Sequence, residues 1–232
     1  MRKLPWTLGA MVAVIALIVA GVVVGPALYK AARGGDDAPA ATVMTDGAEA
    51  AVGDLDGSWS VIPGSEPNLT AAGYTVAEIL RGEPVTVVGS TDEVSGRAQI
   101  SGTTLESAVF EVRVAAIATD SDQRDGQARS PRILDAEGHP LATLAVAEPV
   151  DLSTVPGDGT SATIPIPVDL TVKGTTVRTS ADVTVLRSGE TLIASGSVPL
   201  TWTEVGVQPP SLGFVTVDAD GTVDFLVNLR KD

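Results

Sequence analysis

The sequence predicts an all-β, antiparallel domain carried behind one hydrophobic N-terminal helix, and three observations lead there. From Asp54 onward apolar residues recur with a period of two. Turn-forming pairs punctuate them, with Val, Thr, Gly and Pro abundant and aromatics scarce. Ahead of this lies an uncharged run from Leu8 to Leu28.

That run is 21 residues long. As a helix it rises roughly 32 Å, against a hydrocarbon core about 30 Å thick. Arg2 and Lys3 precede it, and Trp6 and Tyr29 stand at its two ends as interfacial aromatics do. It exceeds the usual apolar stretch of a signal peptide, and no A-x-A site follows directly. Residues 1–33 therefore read as an uncleaved transmembrane anchor, and residues 34–53, rich in Gly, Asp and Ala, as a flexible linker. Residues 54–232 form the β domain.

Within it, Phe110, Val112, Val114 and Ala116 alternate with charged Glu111 and Arg113. Ile166, Val168, Leu170 and Val172 alternate with Pro167, Asp169, Thr171 and Lys173. Ala181, Val183 and Val185 do the same, as do Leu192 to Trp202 and Val223 to Leu229. Such alternation puts one face inward and one in water. Shorter strands are expected at Ser58–Val61, Gly73–Glu78, Val85–Ser90 and Ser95–Ile100, and turns at Lys173-Gly174, Ser188-Gly189 and Asp220-Gly221. About nine strands fit a barrel or a two-sheet sandwich. A polar stretch, Thr119 to Pro140, interrupts them and is expected to form a loop with a short helix around Gln123–Leu134. An insertion this long is more often functional than accidental.

Charge excludes some functions. Residues 1–33 hold four basic residues and no acid, so the rest carries 11 basic residues (15 less 4) against 29 acidic, a net of −18. That surface repels phosphate backbones, so no nucleic-acid partner is expected. The chain has no cysteine and one histidine, which removes disulfides, thiol chemistry and multi-histidine metal sites. The acids Asp120, Asp122 and Asp125 miss the calcium-loop pattern, since Gly126 falls one place late and no distal Glu follows. No catalytic motif, metal site or cofactor fingerprint is present, so the chain is read as a non-enzyme.

The order of small motifs is more telling. Gly57-Ser58-Trp59-Ser60-Val61 is followed by Gly73-Tyr74-Thr75-Val76-Ala77-Glu78, then Val87-Val88-Gly89-Ser90-Thr91 and Ser95-Gly96. Thr119-Asp120, Arg124-Asp125, Ile133-Leu134-Asp135, His139-Pro140 and Val168 to Gly174 come after. This succession, over about residues 55–232, resembles the YceI-like family of polyisoprenoid-binding proteins. His139 and Leu144 stand where that family often has Tyr and Phe. The resemblance implies an eight-stranded antiparallel lipocalin-like barrel with a short helix near its mouth. It also implies a hydrophobic lumen for a long-chain isoprenoid, of quinone or polyprenyl phosphate type, outside the cytoplasm.

On that reading the chain binds, stores or transports a lipid without enzymatic chemistry, anchored in the cell membrane through residues 8–28 with its β domain extracytoplasmic. The lumen lining is expected from Tyr74, Phe110, Val112, Val114, Leu170, Val172, Val183, Val185, Leu200, Trp202 and Phe225. Arg124 is the head-group candidate, backed by Arg129 and Arg132 as a local positive spot. The alternative is a structural or adhesion-type β-sandwich with a filled core. A ligand cavity distinguishes the two.

Overall fold

The computed structural model describes residues 42–213 and 215–232. The expected anchor and the start of the expected linker lie outside these. Among the described residues, no helix is long and apolar enough to cross a membrane.

Eight antiparallel strands close into a barrel. They are β1 (Gly57–Ile62), β6 (Val94–Ser101), β7 (Thr104–Arg113), β8 (Leu141–Val146), β10 (Ser161–Val172), β11 (Thr175–Ser188), β12 (Thr191–Thr201) and β14 (Val215–Lys231), and β14 pairs back onto β1. The closure rules out the two-sheet sandwich. Between them come two short pairs, β2 (Gly64–Ser65) with β3 (Asn68–Leu69), and β9 (Val150–Asp151) with β7; β13 (Ser211–Leu212) pairs with β14.

A long hairpin, β4 (Ala71–Leu80) and β5 (Glu83–Thr91), extends the wall. It can do so because β14 runs 17 residues. The last turns of β14, Asn228 to Lys231, pair with β1, and its earlier part, Val215 to Leu226, pairs with β4 on the same edge. One strand thus serves two neighbours in succession.

The period-two reading holds in the long strands. Ile164, Ile166, Val168, Leu170 and Val172 of β10 are all buried. Pro165 falls where β8 does not reach, and Pro167 sits at the end of that pairing, where its carbonyl still accepts from the Ala147 N–H at 2.9 Å, so the two prolines fall at and beyond the edge of the ladder. In β7 a register shift opposite Gln99 and Ile100 moves the inward phase from Leu105 to Ala108. The strand ends at Arg113, and Val114–Ala116 form a 3₁₀ turn. Val114 is buried there, outside the main interior cluster, which corrects the expectation that it lines the lumen.

A second correction concerns the linker. Residues 42–53 form a strap laid against the outer wall. Val43 covers Leu186, Ile193 and Leu226. Its N–H donates to Ser195 Oγ at 3.2 Å. Asn68 bonds both N–H and C=O of Met44 at 2.8 Å, and the Ala51 and Val52 N–H groups reach the carbonyls of Gly157 and Gly189. The outward residues of β11, β12 and β14 are apolar at this place because they are covered.

The insertion folds as a cap at one end of the barrel. Its helix, α1 (Asp122–Ala128), is shorter than expected, since Ser130-Pro131 cannot continue it. Ser121 caps its start, accepting from the Arg124 N–H. The opposite end is closed by apolar side chains. Leu55, Val150, Leu152 and Val155 are buried there beside Trp59, whose indole N–H donates to the Leu55 carbonyl at 2.9 Å.

Candidate functional site: an apolar lumen with a polar cap

The interior is one continuous apolar cluster. Leu170, Val172, Val183, Val185, Leu200, Trp202 and Phe225 are buried in it, and Tyr74, Phe110 and Val112 pack against it half-buried. A cavity of about 60 Å³ remains, reaching Leu105 and Leu152 at the end away from the cap and lined also by Phe110, Val168, Val183 and Phe225. All its lining residues are apolar. Tyr74, Val112, Leu170, Val172, Leu200 and Trp202 do not line it; they fill the space between it and the capped end.

Four interior rings share one feature that the alternation does not reveal: each lies on a glycine. A Cβ on Gly89 would fall 2.7 Å from the Tyr74 ring, and on Gly96 2.6 Å from the Phe110 ring. On Gly221 it would fall 2.5 Å from the Trp202 ring, and on Gly196 3.0 Å from the Phe225 ring. Gly96 and Gly196 are the direct cross-strand partners of Phe110 and Phe225. The missing side chains leave bays in the wall that receive the rings. Tyr74 and Trp202 also meet edge to face, with centroids 6.1 Å apart.

The capped end is polar. Glu78 continues the inward parity of Ala72, Tyr74 and Val76 along β4 and is 6% exposed. From α1, Arg124 reaches it with Nη2 at 3.3 Å, and the same guanidinium contacts Asp120 and Thr119. Asp125 is buried, and its Oδ1 accepts from the Thr119 N–H at 2.9 Å and hydroxyl at 2.7 Å. Arg129 donates from Nη2 to the Ile117 carbonyl at 3.1 Å. Among the described residues, Arg129 Nε and Trp202 Nε1 are buried donors with no acceptor. The Tyr74 phenol sits within this group. Burial pushes its pKa above the ordinary value, while Arg124 pulls it down and Asp125 and Glu78 push it up.

This arrangement corrects the expected positive spot. Arg124 is held by two carboxylates and Arg132 is exposed, so the three arginines do not form an unopposed cationic site. Asp125 is a staple for the loop start. His139 stands in a turn 3.8 Å from Asp135. Glu78 was missed as a site residue, although its parity with Tyr74 and Val76 in the sequence points inward.

The chain folds as an eight-stranded barrel with a short cap, an apolar interior and a polar end, and residues 65–229 match the YceI-like domain. The chain belongs to the YceI-like family. Two solved structures share the fold of this YceI-like chain. BcnA from Burkholderia cenocepacia is 19% identical, with a TM-score of 0.51, over 67% of this chain and 95% of that one. A polyisoprenoid-binding domain from Saccharophagus degradans, implicated in plant cell wall breakdown, is 15% identical, with a TM-score of 0.56, over 75% of this chain and 98% of that one. At such identities the likeness speaks for the fold alone. No curated protein matches the YceI-like chain.

Proposed function

We propose that this protein binds a long-chain isoprenoid lipid, of quinone or polyprenyl type, inside the barrel, without enzymatic chemistry. The observation that carries the reading is the apolar interior, with its wholly apolar cavity, ending in a polar cap. Family membership supports it, as does the polyisoprenoid-binding description of the Saccharophagus degradans domain. Moving each CH₂ of a tail out of water contributes about 0.8 kcal/mol without directional bonds, so tail identity is read loosely. The tail lies among Phe110, Leu170, Val183, Val185 and Phe225, with the head at the end of Tyr74, Trp202 and Arg124. The apolar run at residues 8–28 supports a single-pass anchor, and the family resemblance supports a barrel on the extracytoplasmic side, beside the membrane where such lipids reside.

A cavity of about 60 Å³ is smaller than the roughly 150 Å³ that accepts one benzene. A long tail therefore enters only as interior rings and the cap move aside. The same small volume favours a second reading, a structural barrel whose core is simply full. Native mass spectrometry of the full-length chain extracted in mild detergent separates the two. The expected result is a protein–lipid adduct whose released ligand fragments as an isoprenoid. Bare protein that also takes up no added polyprenol or quinone establishes the structural reading.

A further inference from the structure

Glu78 is an unusual residue to find on the inner wall of an apolar barrel. An inward carboxylate in a lumen needs a partner, and its partner is Arg124, contributed by the cap. Arg124 is already shared with Asp120. Asp125 lies in the same group with its Oδ1 committed to Thr119, and Arg129 is the second cation. Among the described residues, three carboxyl groups, Glu78, Asp120 and Asp125, thus meet two guanidinium groups, and acid is in excess where a lipid head would rest. An incoming phosphate has to displace one of two carboxylates from Arg124 and then sits beside it in a partly desolvated site. Like charges held that close oppose each other strongly. An uncharged head meets no such opposition. It finds donors waiting, since Trp202 Nε1 and Arg129 Nε are buried without acceptors among the described residues.

We propose that Glu78 is a specificity-determining residue, admitting lipids with uncharged, hydrogen-bond-accepting heads and rejecting those with anionic heads. The inference rests on the lipid-binding reading above. In this account Arg124 closes the cap against Glu78 and does not attract phosphate.

The test compares one polyprenol with its own monophosphate, so that the tails are identical. Both are titrated by tryptophan fluorescence against the full-length chain in detergent at pH 7.5, as wild type and as Glu78→Gln, which keeps the side-chain shape and a bond to Arg124. Wild type is expected to bind the polyprenol about tenfold or more tighter than the phosphate. Glu78→Gln is expected to narrow that gap about tenfold, chiefly by improving the phosphate. A second readout needs no variant: raising salt screens repulsion, so the phosphate should bind wild type more tightly at high salt. Phosphate binding as tight as polyprenol binding, an unchanged ratio in Glu78→Gln, or phosphate affinity that falls with salt overturns the role of Glu78 while sparing lipid binding. Failure of both ligands to bind the wild-type chain overturns the lipid reading itself, and this role with it.

Discussion

Tyr74 joins the ring packing of the lumen to the polarity of its cap, and its titration is measurable. Its folded pKa is raised, chiefly by burial, above an unfolded value of about 10. Above that pH the unfolded chain releases the proton first, so the folded state holds more protons and stability falls as pH rises. The contribution is fully present below about pH 10 and is lost between the unfolded and folded pKa. Thermal melting between pH 8 and pH 11 should therefore drop more steeply in the wild type than in Tyr74→Phe. Because Tyr29 and Tyr74 are the two tyrosines, a Tyr29→Phe chain reports Tyr74 alone by phenolate absorbance. Val112 and Arg113 test the strand phase beside it. Val112 packs against the interior cluster, and Val112→Asp should cost about 2–4 kcal/mol in urea unfolding, because it places a carboxylate in the interior. Arg113 pairs with Glu93 in the open, and Arg113→Ala should change stability by less than about 1 kcal/mol.

At the scale of elements, the cap and the β4–β5 hairpin each depend on one local device. A helix of seven residues does not hold itself together in water, so α1 relies on its staple and its tie to the wall. Asp125→Ala leaves the Thr119 N–H and hydroxyl without their acceptor and should cost about 1–3 kcal/mol. It should also hasten protease cleavage between residues 117 and 140 before the barrel unfolds. Glycine decides the hairpin: a Cβ on Gly73 would fall 1.8 Å from the Gly89 carbonyl oxygen, so Gly73→Ala must part β4 from β5. The cost, about 1–3 kcal/mol or more, should appear as a lower urea midpoint. Elements also differ in how plainly the chain announces them. β10, β11, β12 and β14 were legible because polar residues mark most outward positions, the patch beneath the strap being the exception. β8, Leu-Ala-Thr-Leu-Ala-Val, was not, since it offers almost no polar residue to set a phase. The strap resembled a linker for the opposite reason. Its packing rests on one side chain, Val43, and on backbone bonds that leave no periodic trace. Part of the candidate site was legible too: Phe110, Val183, Val185 and Phe225 follow from alternation alone. The charge balance of the cap was not, because it pairs Glu78 with Arg124 across 46 positions of chain.

For the molecule as a whole, closure at both ends governs behaviour. The end opposite the cap is sealed by Leu55, Leu152 and Val155, and opening it exposes apolar surface to water. The capped end is held by ion pairs around a partly exposed Arg124 and separates at less cost, since its charges regain hydration as they part. A ligand that fills the lumen stabilises the fold by mass action, about 2.7 kcal/mol at a free concentration 100 times its Kd. Saturating ligand should thus raise the melting temperature, and a ligand that leaves it unchanged is not in the barrel. The ends differ in another way. Trp202 lies against Gly221 beneath the cap, while Trp59 bonds Leu55 at the sealed end, and Trp6 is the third tryptophan of the chain. Replacing Trp6 and one of the other two by Phe leaves a single emitter at a chosen end. Stopped-flow mixing with a quenching lipid would then time arrival at each. A signal at Trp202 that leads the one at Trp59 marks the cap as the door, and the reverse order gives that part to the sealed end, so the chain carries its own clock for the direction of loading.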